Sequence, residues 1–314
     1  MAQQPYISIV IPVYNEEGNL DNLLKRLYPV MQQMGKPFEI IFTDDGSRDR
    51  SLSILKEMAS QYAEIRVVEF NGNFGQHMAI MAAFEISRGE IMVTLDADLQ
   101  NPPEEIPKLV AEMEKGHDVV GSIRQKRQDT FFRRTASHLV NITTRKMTGM
   151  KMSDYGCMLR AYKRDVVDNM NRCHEAATFI PALAQTFASS PSEVPVAHAE
   201  RLEGESKYSL YKLVRLNFDL MTGFSVVPLQ LFALMGILTS IFAVAFGLFL
   251  MVRRFIVGAE VEGVFTLFAI MFFFLGITIF GIGIVGEYVG RIYQEVRQRP
   301  RYVVRKVYGA DNES

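Results

Sequence analysis

Two aspartates separated by one residue, Asp96 and Asp98, are the side chains in this sequence whose types and spacing point most directly to chemistry. They follow an apolar run and precede Asn101 and a proline pair in the segment IMVTLDADLQNPP. Two carboxylates so close together in a turn can bind one hard cation, and Mg²⁺ or Mn²⁺ bound in this way usually takes phosphate as another ligand. The pair therefore predicts a metal site for a diphosphate-bearing substrate. For an isolated pair, the alternative is that Asp98 caps the following helix.

The apolar run before this pair is the fourth in a series of predicted strands, each of which leads into a polar turn and then a segment of helical periodicity. By residue number, the series is 7–14, 38–42, 65–70 and 91–95. This alternation predicts an α/β domain with a mostly parallel sheet and right-handed crossovers. Ligands of such sheets bind beyond the carboxyl ends of the strands, so we expect Glu16, Asp44 and Asp45 to lie near Asp96 and Asp98.

The turn sequences also restrict the class of nucleotide site. The first turn, Asn15-Glu16-Glu17-Gly18, has no GxGxxG pattern, and the chain has no GK[ST]. A dinucleotide-binding Rossmann domain and a P-loop are therefore both excluded. Acidic turns after the first strands could instead hydrogen-bond a base such as uracil, while the aspartate pair holds a diphosphate.

A basic segment follows the fifth predicted strand, residues 118–123. It is offset by a single acid, Asp129, and it contains Arg124, Lys126, Arg127, Arg133, Arg134, Arg145 and Lys146. Such a segment attracts anions if it faces the site, and it is a solvated helix face if it does not. The charge pattern alone leaves both interpretations open.

The last third of the chain differs in composition from the rest. Residues 229–252 and 264–285 contain no charged residue, and each stretch is long enough to cross a bilayer as a helix. The N-terminus lacks the basic and apolar regions of a signal peptide, and the tail after the second stretch is rich in arginine. We therefore expect both termini in the cytoplasm. The only cysteines, Cys157 and Cys173, have no metal-ligand spacing and suit a reducing compartment without a disulfide.

These observations predict four parts. Residues 1–205 form a cytoplasmic catalytic head, residues 206–228 an interfacial amphipathic segment, residues 229–286 a transmembrane hairpin, and residues 287–314 a basic cytoplasmic tail.

Several motifs of the head resemble those of family 2 glycosyltransferases of the polyprenyl-phosphate type, which have the Rossmann-like GT-A fold. They are VIPVYNEEGNL, DDGSRD, NFGQH and DADLQNPPEEIP. Other segments resemble the subgroup that transfers 4-deoxy-4-formamido-L-arabinose to undecaprenyl phosphate for lipid A modification and polymyxin resistance. These are VGSIRQKRQDTFFRRTAS, DYGCMLRAYKR, GESKYS and GEYVGRIYQEVRQRP, so the resemblance spans nearly the whole chain.

The resemblance implies an inverting enzyme of the bacterial inner membrane. Its donor would be a UDP-sugar, its acceptor undecaprenyl phosphate in the lipid bilayer and its cofactor Mg²⁺ or Mn²⁺. It would have no nucleic-acid partner, and the family suggests a homotetramer.

The resemblance also assigns roles to individual residues. For the nucleotide-sugar these are Pro12, Tyr14 and Glu16 at the base and ribose, Asp44 beside uracil, Asp96 and Asp98 at the diphosphate and metal, and Gln100 near the sugar. For the acceptor phosphate they are Arg124, Arg133, Ser137, Arg201 and Lys207. Asp98, Arg124 and Arg133 would contribute to catalysis.

One departure from the family concerns a general base. Many relatives have DxGDFR where this chain has Asp154-Tyr155-Gly156-Cys157-Met158-Leu159-Arg160, so Cys157 replaces the second acid. Asp154 is the remaining candidate base, and hydrogen bonding to the basic helix is its alternative role. A lipid monophosphate is already anionic near neutrality because its second pKa is about 6. The reaction can therefore rely on electrostatic stabilisation by arginines and a metal.

Three alternative functions were considered. A processive polysaccharide synthase should have more membrane spans and a QxxRW motif, which this chain lacks. An undecaprenyl-phosphate glucosyl- or mannosyltransferase for O-antigen or glycan modification would share every motif above. A membrane-tethered nucleotide-sugar sensor would keep the acids without needing the basic segment.

Overall fold

The computed structural model describes residues 4–124, 157–173, 179–197, 227–257, 264–297 and 300–309. Two compact units divide these residues between them. The first unit contains the described residues up to 197 together with 300–309, and the second contains residues 227–257 and 264–297.

An eight-stranded sheet in the order β7-β5-β6-β4-β1-β2-β3-β8 forms the centre of the first unit. Its strands are β1 (Ile7–Val13), β2 (Phe38–Asp44), β3 (Ile65–Phe70), β4 (Ile91–Thr94), β5 (Val119–Arg124), β6 (Arg160–Lys163), β7 (Pro191–Val196) and β8 (Val304–Tyr308). β1 pairs in parallel with β2 and β4, β2 with β3, and β5 with β7. β6 and β8 are antiparallel to their neighbours. The sheet confirms the predicted mostly parallel α/β fold.

Helices cover both faces of this sheet. They are α1 (Leu20–Gln33), α2 (Ser51–Gln61), α3 (Gln76–Ile86), α4 (Ile106–Met113), α5 (Arg164–Arg172) and α6 (Ile180–Phe187). α1 buries Leu20, Leu23, Leu24, Leu27 and Met31, which lie at the spacing of one helical face. α3 is buried from residue 78 to residue 84 because it packs between β1, β2 and α5. The core of this unit therefore lies on both sides of β1, β2 and β4.

Strand boundaries differ from the sequence-based predictions at functionally relevant points. β2 continues to Asp44, two residues beyond the predicted end, so this acid is the last residue of the strand. β8 was not predicted, because its sequence VRKVY is short and strongly basic. Lysine and arginine are typical of edge strands, where they discourage pairing with other chains. Part of the segment predicted as a basic tail is therefore the edge strand of the sheet.

The second unit consists of two long helices, α7 (Val227–Val257) and α8 (Val264–Val296). Each contains a stretch long and apolar enough to cross a membrane, Leu229–Phe249 and Ile270–Tyr293. The helices meet at Gly281, where an added Cβ atom would lie 1.8 Å from Cζ of Phe232. A side chain at this position would therefore collide with the Phe232 ring. Of the predicted interfacial segment, only residues 227 and 228 lie within the described part of the chain, and they begin α7.

Candidate functional site

Charged side chains converge where β1, β2, β4 and β5 end. Asp44 is the last residue of β2 and Arg124 the last of β5, while Glu16 follows β1 and the aspartate pair follows β4. Burial, followed by the charge of Asp98, raises the pKa of Asp96 to about 7. The charge of Glu16 also raises this pKa, and the charge of Arg124 lowers it. Three carboxylates and one guanidinium therefore interact at the edge where the sequence predicted them.

The turn after β1 is held by side chains of the segment after β2. The backbone N–H of Asn15 donates to Oγ of Ser47 at 3.0 Å, and that of Glu16 donates to Oγ of Ser51 at 2.9 Å. The N–H of Glu17 donates to Asp49 Oδ2 at 3.2 Å. Asn15 has a φ of 56°, a left-handed conformation that asparagine tolerates better than most residues. The DDGSRD motif thus fixes the acidic turn that carries Glu16.

One carboxylate oxygen of Asp44 has no hydrogen-bond partner among the described residues. Its side chain is buried, and Oδ2 accepts the Ser47 backbone N–H at 3.3 Å. The other oxygen, Oδ1, is also buried and has no hydrogen-bond partner among the described residues. Burial raises the pKa of Asp44, and hydrogen bonds from Ser47 oppose this shift. An unpaired buried acceptor costs about 1–3 kcal/mol, which a ligand N–H could recover.

The turns after β2 and β3 are joined by hydrogen bonds to the Asp45 side chain and by close backbone packing. The Asp45 carboxylate accepts the N–H groups of Phe74 at 2.6 Å and Gly75 at 2.8 Å. Gly46 has a φ of 71°, and an added Cβ atom would lie 2.6 Å from the carbonyl carbon of Gly72. Any side chain at Gly46 would therefore separate the two turns. The position of Asp44 depends on the turn after β3 for this reason.

The aspartate pair lies in a strained turn. Gln76 Nε2 donates to Asp96 Oδ1 at 2.6 Å, and the Gln100 N–H donates to Asp98 Oδ1 at 3.1 Å. Between the aspartates and Gln100, the buried Leu99 has a φ of 60°, which is costly for a leucine. The 3₁₀ helix that follows, Pro103–Glu105, has no side-chain cap. Asp98 therefore closes its own turn and does not cap that helix.

The carboxylates of this turn fit a cation bound through oxygen. Burial beside other acids favours the protonated form of Asp96, so a cation would relieve the excess negative charge. Among the residues that the structure describes, no group of three or more His, Cys, Asp or Glu side chains has metal-site geometry. Mg²⁺ and Mn²⁺ commonly bind through one or two carboxylates and substrate phosphates, and the donor set here is of that kind.

A buried polar chain connects this turn to β5. Cys157 Sγ lies 2.8 Å from Ser122 Oγ and 3.4 Å from Oδ1 of the buried Asn101. Arg160 Nε donates to the Cys157 carbonyl at 2.9 Å. The thiol that replaces the acid of many relatives is thus a hydrogen-bonding part of the core beside the aspartate pair.

The other predicted site residues fall into two groups. Pro12 is partly buried in β1 opposite Thr43, Tyr14 is 42% exposed, and Gln100 is partly buried next to the aspartate pair. Arg133, Ser137, Asp154, Arg201 and Lys207 lie outside the described residues. Their roles therefore stay predictions. Sequence patterns do not predict the contributions of Ser47, Asp49, Ser51 and Gln76, because these side chains bond to residues that are distant in sequence.

Comparison with known proteins identifies the family. The family model described as "Glycosyl transferase family 2" matches residues 8–170 of this chain. A protein of Edwardsiella ictaluri named undecaprenyl-phosphate 4-deoxy-4-formamido-L-arabinose transferase is 50% identical over 309 residues, which are 98% of this chain and 95% of that one. The protein of the same name from Shewanella sediminis is 50% identical over 305 residues, covering 96% and 92% of the two chains.

Solved structures confirm the predicted type of fold. Glucosyl-3-phosphoglycerate synthase of Mycobacterium tuberculosis, solved with Mn²⁺, UDP and glucosyl-3-phosphoglycerate, superposes with a TM-score of 0.51. The two sequences are 17% identical, and the match covers 70% of this chain and 78% of that one. At this identity the likeness concerns the fold alone. The family match and the relatives at half identity together show that the chain belongs to glycosyltransferase family 2 and is a glycosyltransferase.

Proposed function

We propose that this enzyme transfers 4-deoxy-4-formamido-L-arabinose from UDP to undecaprenyl phosphate, with inversion at the anomeric carbon. Support for the sugar and the acceptor comes from the names of relatives that are 50% identical over nearly the whole chain. In this proposal, the product serves lipid A modification and polymyxin resistance. The structural observation that carries the proposal is the unpaired Oδ1 of Asp44, at the same edge of the sheet as the Asp96–Asp98 turn.

The donor is proposed to bind along the carboxyl edge of the sheet. Uracil N3–H would donate to Asp44 Oδ1, which is buried and otherwise unpaired among the described residues. Pro12, Tyr14 and Glu16, which lie at the end of β1 or in the turn after it, would contact the base and ribose. Gln100 would contact the sugar from the turn after β4.

Asp96 and Asp98 are proposed to hold Mg²⁺ or Mn²⁺ together with the diphosphate oxygens. Such a cation neutralises charge that develops on the leaving UDP. The Mycobacterium tuberculosis synthase of the same fold was solved with Mn²⁺ and UDP. In this chain, Gln76 donates a hydrogen bond to Oδ1 of Asp96, and this bond orients the carboxylate.

The acceptor phosphate is proposed to attack without a general base. One of its anionic oxygens forms the new bond to the anomeric carbon as the bond to the UDP oxygen breaks. Arg124 is proposed to attract this phosphate, and its electrostatic interaction with Asp96 supports that role. Arg133, Ser137, Arg201 and Lys207 are proposed as further phosphate contacts, and Asp154 as the base if one is used.

We also propose how the chain is placed in the cell. Helices α7 and α8 would cross the inner membrane of a bacterium, with the head and both termini in the cytoplasm. The two apolar stretches, Leu229–Phe249 and Ile270–Tyr293, support this arrangement by length and composition. The family resemblance suggests a homotetramer.

A competition assay tests the choice of sugar. Purified enzyme in detergent would receive undecaprenyl phosphate and an equimolar mixture of UDP-4-deoxy-4-formamido-L-arabinose, UDP-glucose and UDP-N-acetylglucosamine. The lipid products would be identified by mass. We expect the formamidoarabinosyl lipid to dominate. A predominantly glucosyl product would contradict the sugar assignment, and UDP-sugar binding without any lipid product would favour a sensor.

A further inference from the structure

The edge strand β8 follows α8 closely along the chain, although the other seven strands of its sheet all precede α7. It pairs with β3 in antiparallel register, with Tyr308 opposite Val67 and Val304 opposite Phe70. The register shifts between Glu69 and Phe70, at the end of β3 nearest the site. Bulges of this kind occur beside active sites, where they redirect the chain.

The site-proximal end of this strand is attached to several elements. The Tyr302 ring stacks on Phe70, with centroids 5.2 Å apart and planes at 14°. Its hydroxyl hydrogen-bonds to Glu85 of α3, and Arg301 donates to the Cys173 carbonyl at the end of α5. Residues 301–304 therefore tie β3, α3 and α5 together.

The same end also holds the turn after β3. The Asn71 N–H donates to the Val303 carbonyl at 3.1 Å, so the pairing continues past the last residue of β3. On its other side, this turn donates two N–H groups to Asp45 and packs Gly72 against Gly46. The turn therefore lies between β8 and the residues that position Asp44.

The turn leads directly into α3, whose first residue is Gln76. Gln76 donates to Asp96 Oδ1, so the contacts that begin at Tyr302 and Val303 continue to both halves of the candidate donor site. A displacement of the turn would move the Asp45–Gly46 segment and the Gln76 amide together, because packed backbone does not absorb such shifts freely.

We propose that β8, together with the residues that lead into it, is a positioning element for the donor site. In this proposal Tyr302, two residues before the strand, sets the turn of residues 71–75 in its binding conformation. This inference rests on the proposed UDP-sugar site. It assigns a part in donor binding to a segment that follows the helix pair in sequence and contributes no group to the substrate.

The opposite end of the same strand provides a matched control. Tyr308 is also an aromatic residue of this segment, and its hydroxyl donates to Glu69 Oε2 at 2.6 Å. It lies opposite Val67, which precedes Phe70 by three residues, and its hydroxyl bonds to a side chain of β3 and not to the turn of residues 71–75. A purely structural role predicts similar consequences for Tyr302→Ala and Tyr308→Ala. A positioning role predicts that Tyr302→Ala weakens UDP binding more than Tyr308→Ala does.

The test measures UDP affinity and thermal unfolding for the full-length enzyme in detergent with Mn²⁺. We expect Tyr302→Ala to weaken UDP binding about tenfold and Tyr308→Ala less than about twofold, at comparable losses of Tm. Tyr302→Phe keeps the ring on Phe70 and should restore most of the affinity. Equal effects of the two alanine variants, or an unchanged affinity in Tyr302→Ala, would overturn the inference.

A second measurement on the unmodified enzyme does not depend on the variants folding. If β8 positions the donor site, UDP binding must in turn stabilise β8. Hydrogen exchange of residues 303–308 should slow when UDP and Mn²⁺ are added, while exchange in β7 at the other end of the sheet should not. Unchanged exchange in β8 despite UDP binding would refute this inference and leave the proposed function standing. An enzyme that bound no UDP would refute the proposed function as well.

Discussion

Gln76 Nε2 lies 2.6 Å from Asp96 Oδ1, and this hydrogen bond joins the turn after β3 to the aspartate pair after β4. The amide stabilises the ionised carboxylate and opposes the rise of its pKa that burial causes. Because Oδ1 accepts this hydrogen bond, Oδ2 is the oxygen of Asp96 that faces away from the amide. A neutral residue from a neighbouring turn thus orients the acid proposed to bind the metal.

The first prediction concerns this amide. Gln76→Ala should weaken binding of Mn²⁺ in the presence of UDP by about 10- to 100-fold, because the supporting hydrogen bond of a metal ligand is lost. Isothermal titration calorimetry measures this change. Gln61→Ala is the control, since the Gln61 amide bonds to Glu57 on the exposed face of α2. Equal metal affinity in Gln76→Ala and the unmodified enzyme would show that the hydrogen bond has no part in metal binding.

The second prediction concerns Asp44 and separates function from stability. Asp44→Asn removes a buried charge with an unpaired oxygen, so the unliganded enzyme should become no less stable and Tm should stay or rise. UDP affinity should nevertheless fall by about 10- to 100-fold, because the carboxylate acceptor for the uracil N–H is lost. Thermal unfolding with and without UDP measures both effects. A variant that kept full UDP affinity would remove Asp44 from the base pocket.

The third prediction concerns pH. The pKa of Asp96 is raised to about 7, so below that pH the carboxyl holds a proton that a cation must displace. Affinity for Mn²⁺ with UDP should therefore fall about tenfold for each pH unit below about 7 and level off above it. Calorimetry in buffers of different ionisation enthalpy should show proton release at about pH 6 and almost none at about pH 8. A pH-independent affinity would contradict this assignment.

The fourth prediction separates acceptor from donor binding. Arg133→Ala should lower turnover strongly while UDP affinity stays within about twofold, because Arg133 is assigned to the lipid phosphate. Arg133→Lys should restore only part of the activity, since a lysine does not reproduce the planar fork of a guanidinium. Steady-state kinetics with varied undecaprenyl phosphate measure the effect. A loss of UDP affinity as large as that of Asp44→Ala would place Arg133 at the donor.

Much of the fold could be predicted because its signals are local. An apolar run, a polar turn and an amphipathic helix follow each other along the chain, and parallel strands of this kind place their turns at one edge. The acids in those turns could therefore be assigned to one site before the structure was known.

Interactions between distant segments could not be predicted in the same way. Asn15 and Ser47 are 32 positions apart, and neither residue type identifies the other as its partner. β8 was missed for a related reason: its basic residues were interpreted as a solvated tail, whereas Arg305 and Lys56 pair with the buried Glu69 of β3. Sequence patterns report which face is buried, and they do not report which remote side chain completes a turn.

Asp96 and Asp98 are proposed to hold a metal that supports sugar transfer to a lipid phosphate. The most direct measurement is formation of the formamidoarabinosyl lipid, followed by mass, in the unmodified enzyme and in Asp98→Asn, with Mn²⁺ and with chelator. We expect product from the unmodified enzyme with Mn²⁺, none with chelator, and none from Asp98→Asn although it remains folded. Full product formation by Asp98→Asn in chelator would contradict this proposal.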